Sequence, residues 1–171
     1  MVPSGLYYNP AVLSAEQQQE LLTAIEVKHW SKTLSRRTQH YGHRYDYLTK
    51  RLYQDVEPIT TCPGIALIGQ LLSTAVPDFK LEQAIVNEYT AKQTIGSHID
   101  APVFGPIIVT VCLGSSGVLR FRRGSEIYDL TVNAGDIVFL TGEARTQWSH
   151  CTLPQSGVEY RRISVTLRSL T

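Results

Sequence analysis

His98 and Asp100 stand two residues apart in the stretch Gly96-Ser97-His98-Ile99-Asp100-Ala101-Pro102. In an extended strand, side chains i and i+2 leave on the same face. An imidazole and a carboxylate therefore reach one point in space while Ile99 turns the other way. The pair supplies two of the three ligands of a 2-His-1-carboxylate facial set, which holds a non-haem ferrous ion and leaves its remaining positions open. A hydrogen-bonded couple at the end of a strand has the same spacing, so the reading depends on what else in the chain converges on it.

The histidines are His29, His40, His43, His98 and His150. The first three lie in a basic, aromatic stretch and are expected at the surface. His150 comes after Gly142-Glu143-Ala144-Arg145-Thr146-Gln147-Trp148-Ser149 and shortly before Arg162, and it is the candidate third ligand. The run Arg162-Ile163-Ser164-Val165-Thr166-Leu167-Arg168 alternates strictly, with Arg162, Ser164, Thr166 and Arg168 on one face. Two guanidiniums flanking two hydroxyls make an anion-binding wall, because the planar fork of donors matches a carboxylate. A half-exposed strand with its polar side in water alternates in the same way. Asn87 and Tyr89 also share a face and both can donate hydrogen bonds to an acid, although a tyrosine at the edge of a strand reads equally well.

The elements that must carry these groups change character along the chain. Ser14-Ala15-Glu16-Gln17 is a capping box, and Leu21, Leu22 and Ile25 follow at helical spacing, which predicts a helix over 15–28. Cys62-Pro63-Gly64 opens a second helix with Ile65, Ile68, Leu71, Leu72 and Ala75 on one face and Pro77 closing it. After Pro77 the runs 85–90, 107–113, 118–122, 127–132, 136–140 and 162–167 are β-type. They are separated by Gly105-Pro106, Gly114-Ser115-Ser116-Gly117 and Asn133-Ala134-Gly135 as turns. Helices followed by strands predict an α+β chain whose second half is a sandwich or barrel. No repeat or linker interrupts it, so one domain over 1–171 is expected, with helices and a substrate lid over about 1–80 and a β-core over about 81–171.

The length of 171 residues, with 43% hydrophobic and 18% charged residues, suits one packed core. A net charge of +1 excludes a strong overall field for polyanions but not a local patch. Such a patch exists. Residues 28–51 hold Lys28, Lys32, Arg36, Arg37, Arg44, Lys50 and Arg51 against Asp46 alone, interleaved with Trp30, Tyr41, Tyr45 and Tyr47. Cations with aromatics suit phosphates and unstacked bases. Arg37, Tyr41, Tyr45 and Tyr47 are accordingly the candidate substrate contacts, and Arg120, Arg122 and Arg123 could form a second cationic rim. A solvated basic surface with tyrosines packed on the core has the same composition. The widely spaced Cys62, Cys112 and Cys151 indicate neither a disulfide framework nor a thiolate metal site. The first residues lack a signal-peptide pattern and no apolar run is long enough to span a bilayer. A reduced, intracellular (cytoplasmic or nuclear), monomeric protein away from membranes is expected.

Taken in order, these motifs resemble the AlkB family of Fe(II)/2-oxoglutarate-dependent dioxygenases. Asn87-Glu88-Tyr89 matches its Asn-x-Tyr, and His98-Ile99-Asp100 its His-x-Asp. Gly142-Glu143-Ala144-Arg145 with His150 matches its Gly-Glu-Ser-Arg…His. Arg162-x-Ser164-x-Thr166-x-Arg168 matches Arg-x-Asn-x-Thr-x-Arg with Ser for Asn. The stretch from Arg36 to Tyr47 also looks like the family's substrate lid, so the resemblance runs over about 36–168.

The resemblance implies a double-stranded β-helix (jelly-roll-like) core with N-terminal flanking helices. It implies His98, Asp100 and His150 as ligands of Fe(II). Arg162 would take the distal carboxylate of the co-substrate 2-oxoglutarate, helped by Tyr89 and Ser164, with Asn87 and Arg168 near the metal end. Ser164 keeps a hydroxyl but loses the reach of the amide, and this Ser form resembles the branch that includes a tRNA wobble-uridine hydroxylase. The implied reaction consumes molecular oxygen and 2-oxoglutarate, releases succinate and carbon dioxide, and hydroxylates a C–H bond. On an N-methylated base the product loses formaldehyde. Demethylation of alkylated DNA or RNA is the first expectation, and hydroxylation of a tRNA wobble nucleoside or a protein side chain the second. A non-catalytic β-barrel binding module is the alternative of a different class, against which the full set of five matching His, Asp and Arg residues speaks.

Overall fold

The structure, a computed structural model, describes Met1–Thr171. Helix α1 (Ala15–Glu26) begins at a true capping box. The Ser14 hydroxyl accepts from the Gln17 amide at 3.2 Å, and the Gln17 side chain accepts from the Ser14 amide at 2.9 Å. Helix α2 (Pro63–Ala75) has Pro63 in its first turn, where no amide donor is needed. A third, one-turn helix, α3 (Gly142–Thr146), precedes His150. The inner side of α2 is Ile65, Gly69 and Leu72, whereas Leu71, expected on that face, is 59% exposed. Gly69 explains the rotation: a Cβ there would lie 3.0 Å or less from Leu81 atoms, so α2 turns its smallest residue toward its close neighbour.

Six strands form one antiparallel sheet in the order β1 (Leu6–Asn9), β10 (Ile137–Leu140), β7 (Phe104–Gly114), β12 (Arg161–Leu170), β5 (Gln83–Thr90), β2 (Thr38–Tyr41). Four more form a second sheet in the order β6 (Ile95–His98), β11 (Ser149–Thr152), β8 (Gly117–Arg123), β9 (Glu126–Val132). The hairpin β3 (Arg44–Asp46) and β4 (Arg51–Tyr53) stands beside them. The six runs read as β-type in the sequence are all strands, with ends shifted by a few residues. Gly105-Pro106, expected as a turn, instead lies inside β7. Pro106 is tolerated there because pairing with β10 begins only at Ile108, so its missing N–H breaks no ladder bond on that side. The segment Thr38–Tyr41, expected in a lid, is the edge strand of the larger sheet.

Alternation along the larger sheet sorts its side chains between two cores. Val86, Val109, Val111, Leu113, Ile163, Val165 and Leu167 face the helices and pack with Leu21, Ile25, Ile65 and Leu72. Ile108, Cys112, Val138 and Leu140 face the second sheet and pack with Phe104, Phe121, Leu130, Val132 and Trp148. On the helix side, buried Glu88 ties β5 to the segment before β2, to β12 and, through β12, to α1. It accepts from Arg37 at 2.5 and 2.7 Å and from Arg161 at 2.7 Å, and Arg161 also pairs with Glu26. Burial pushes the Glu88 carboxyl up, but the two guanidiniums outweigh it and hold it below its usual value. No helix is long and apolar enough to cross a membrane.

Candidate active site

The two sheets meet around a cavity lined on one wall by Asn87, Tyr89, Arg162, Ser164, Thr166 and Arg168 and on the other by Ile95, Leu119, Phe121 and Cys151. Both walls follow from period two. Arg162 and Ser164 sit opposite Tyr89 and Asn87 in the β12–β5 ladder, so the polar face of β12 and the polar face of β5 are one surface. The alternating run 162–168 is therefore not an exposed strand: it is central in its sheet, and Arg162 is 1% and Arg168 6% exposed.

At one end of the cavity His98, Asp100 and His150 bring one ligand atom each to within 4.8 Å of one another. His98 and His150 are direct partners in the β6–β11 ladder, and their rings stand 4.5 Å apart. Nδ1 of His98 lies 2.8 Å from the Gly96 carbonyl. A carbonyl only accepts, so Nδ1 carries the hydrogen in this bond and Nε2 is the ring nitrogen not used by it. Nε2 of His150 lies 3.5 Å from Oδ2 of Asp100. Burial pushes the His150 imidazole down to about 4, so it is neutral at pH 7. Burial pushes the Asp100 carboxyl up, but Arg168 and the two imidazoles outweigh it and hold it at about 2. Two imidazoles and one carboxylate converging within 4.8 Å fit a divalent metal of the kind that takes mixed N and O ligands.

Two arginines hold the carboxylate in place. Arg168 pairs with Oδ1 of Asp100 and donates to Oε1 of Gln83 at 2.9 Å. Arg145 is wholly occupied with backbone: it donates to the carbonyls of Asp100 (2.9 Å), Ala101 (2.8 Å), Phe104 (3.0 Å) and Gly105 (3.3 Å). It pins the loop that leaves Asp100. The sequence motif contains Arg145, but nothing in its spacing reveals this task. At the other end of the cavity Arg162 has no carboxylate partner. Its side chain lies over the Tyr89 ring at 5.6 Å, one terminal nitrogen approaches Cys112 Sγ at 3.6 Å, and Nε is buried without a partner. A buried guanidinium with unused donors fits an anionic ligand such as a carboxylate.

The residues expected to meet a substrate divide. Tyr45 packs edge-on against Phe104 at 5.7 Å, and Tyr47, 62% exposed, packs edge-on against Tyr45 at 4.9 Å. Phe104 in turn lies under the Arg168 guanidinium at 4.4 Å. Arg37 and Tyr41 are turned away. Arg37 is engaged with Glu88 and lies over Trp30 at 4.9 Å, while Tyr41 is buried in the helix-side core and donates to Gln39 at 2.7 Å. Arg36, not singled out by the sequence, takes the place expected for Arg37. Its Nε donates to Oδ1 of Asn87 at 2.8 Å, and it lies over Tyr89 at 5.9 Å. His40, expected at the surface, is mostly buried, and burial first, then Arg44, Arg168 and Arg36, push it down to about 4. The second cationic rim is largely neutralised, with Arg120 on Asp129 and Arg123 on Glu126 and Glu143.

Comparison with known proteins agrees with this geometry. Residues 5–168 match the family model described as the 2OG-Fe(II) oxygenase superfamily. An Arabidopsis thaliana protein named alkylated DNA repair protein ALKBH8 homolog is 26% identical over 97% of the chain, which spans 58% of that protein. The RNA demethylase ALKBH5 of Xenopus tropicalis is 29% identical over 70% of the chain and 37% of its own length. The chain thus spans little more than half, or less, of these two relatives. Among solved structures, OsALKBH1 superposes with a TM-score of 0.71 at 14% identity, over 99% of this chain and 98% of that one. A 2OG-Fe(II) oxygenase family oxidoreductase from Burkholderia pseudomallei gives 0.72 at 12% identity, over 96% and 83%. These likenesses establish the two-sheet core as a double-stranded β-helix.

Proposed function

The chain belongs to the 2OG-Fe(II) oxygenase superfamily and is AlkB-like within it, an Fe(II)/2-oxoglutarate-dependent dioxygenase, and from that premise we propose that it oxidatively removes alkyl groups from bases in nucleic acid. His98, Asp100 and His150 would hold the iron. Arg162 would take the distal carboxylate of 2-oxoglutarate, with Tyr89 and Ser164 beside it and Asn87 toward the metal end. With both bound, the site supplies one chemistry, the coupling of 2-oxoglutarate decarboxylation to oxidation of a C–H bond by molecular oxygen.

The chain's own residues orient and shield. Arg168 keeps one oxygen of Asp100 occupied so that the other faces His150, and Arg145 fixes the backbone beneath it. Ile108, Leu119, Phe121, Val138 and Leu140 give the cavity apolar walls that limit water. The observation that carries the substrate reading is the aromatic series Tyr47, Tyr45, Phe104, which leads from solvent to Arg168 beside the three ligand-type side chains. A series of aromatics followed by Lys50 and Arg51 suits an unpaired base and its phosphates. The names of the relatives, a DNA repair protein and an RNA demethylase, point the same way.

The test is product analysis on N-methylated single-stranded DNA and RNA oligonucleotides. Formaldehyde released in step with succinate is expected, and both should vanish in His98→Ala and His150→Ala. A stable hydroxylated nucleoside without formaldehyde would shift the reading to a hydroxylase. Turnover with neither nucleic acid would overturn it.

A further inference from the structure

Tyr160 lies just before β12 and outside every motif considered above. Its hydroxyl is buried and has no hydrogen-bond partner, and the same is true of Nε of Arg162. The two unpaired donors converge: both stand beside Gly117, the Arg162 Nε 3.0 Å and the Tyr160 hydroxyl 3.2 Å from the place where a Cβ on Gly117 would sit. A side chain at 117 would also come within 2.7 Å of Arg162 Cδ, so the glycine keeps this corner clear. Buried donors are almost always satisfied, and a pair left open at one point marks the place of an acceptor supplied from outside the chain.

We propose that Tyr160 is a co-substrate-binding residue whose hydroxyl, together with the Arg162 guanidinium, receives the distal carboxylate of 2-oxoglutarate. This rests on the assignment of Arg162 to that carboxylate and extends it. An anion with more than one oxygen can accept from both a guanidinium and a phenol at once. Burial raises the phenol's pKa, so the hydroxyl keeps its proton and donates. The Arg162 guanidinium also lies over the Tyr89 ring at 5.6 Å.

The test is calorimetric binding to Mn(II)-loaded protein of 2-oxoglutarate and of 2-oxopentanoate, which has the same chain length but no distal carboxylate. Tyr160→Phe should weaken 2-oxoglutarate about tenfold, as expected for a hydrogen bond to a charged group, and leave 2-oxopentanoate and Mn(II) binding unchanged. Equal loss for both acids, or no loss for either, would overturn the inference. Arg162→Met separates the two levels. If it removes the preference for 2-oxoglutarate while Tyr160→Phe does not, Arg162 keeps its assignment and Tyr160 loses its own; if it leaves the preference intact, the underlying assignment fails. Should Tyr160→Phe not fold, Tyr160→Met removes the hydroxyl while leaving Gly117 and Arg162 unchanged. It should give the same selective loss of 2-oxoglutarate, and unchanged binding of both acids would count against the inference.

Discussion

The guanidinium of Arg168 closes on Oδ1 of Asp100 from the opposite sheet, while Oδ2 of the same carboxylate faces Nε2 of His150 at 3.5 Å. The pair spans the two sheets and both side chains are nearly sealed from water. Removing one partner leaves a buried charge uncompensated, which costs ~3–5 kcal/mol. Arg168→Met is therefore expected to lower the unfolding free energy by that amount, and Asp100→Asn, which removes the other charge, to lower it less in the Arg168→Met background than alone. A double-mutant cycle by chemical denaturation measures the coupling.

Arg145 should matter for the metal without touching it. Its four backbone acceptors all lie between Asp100 and Gly105. Arg145→Ala leaves those carbonyls unpaired in a buried place and should cost ~3 kcal/mol or more. Amide exchange should speed up between residues 100 and 105 more than in β5, and Mn(II) affinity should fall although all three ligand side chains remain. Arg145→Lys, with a point charge in place of the planar fork, should recover only part of this.

His40 predicts an acid-sensitive fold. Its pKa is pushed down to about 4, and its Nδ1 is buried without a partner. Between about 4 and the ordinary value near 6.5 the unfolded chain binds the proton and the folded chain does not. Stability is thus fully present above about 6.5 and is lost as the pH falls through about 4. His40→Gln should flatten the part of the slope due to this residue, read as urea midpoints at pH 7 and pH 5. His150, also pushed down to about 4, keeps the remaining slope in the same direction.

Tyr47→Ala is expected to separate substrate capture from co-substrate turnover. Tyr47 is 62% exposed and touches the site through Tyr45 and Phe104. Tyr47→Ala should raise KM for a methylated oligonucleotide about tenfold, from base stacking worth ~1–3 kcal/mol. 2-Oxoglutarate consumption in the absence of nucleic acid should stay as it is. Loss of both activities together would assign Tyr47 to the fold instead.

The legible parts of the chain are those where one physical pattern acts alone. Period two along 162–168 places Arg162, Ser164, Thr166 and Arg168 on one wall, and the structure keeps them there. The capping box at Ser14 and the proline at 63 locate both long helices. The substrate candidates divide between two faces because 38–41 is an edge strand and not a lid segment. Once Thr38 is seen to pair with Asn87, parity puts residue 36 on the cavity face and 37, 39 and 41 on the helix face, which exchanges Arg36 for Arg37 and buries Tyr41. Tyr160 carries no sequence signal, and Gly117 carries only that of a turn. Their meaning depends on a meeting of two segments far apart in the chain, which neither periodicity nor spacing encodes.

The order of the larger sheet has a consequence for how the molecule is made. β12 comes after every other strand in sequence yet occupies a central position, between β7 and β5. Until residues 161–170 leave the ribosome, those two strands present open edges to the cell, and the helix-side core lacks Ile163, Val165 and Leu167. A chain stopped at Tyr160 would thus be an aggregation-prone intermediate in need of a chaperone, and the segment that completes the sheet is also the one that brings Arg162 and Arg168 to the cavity.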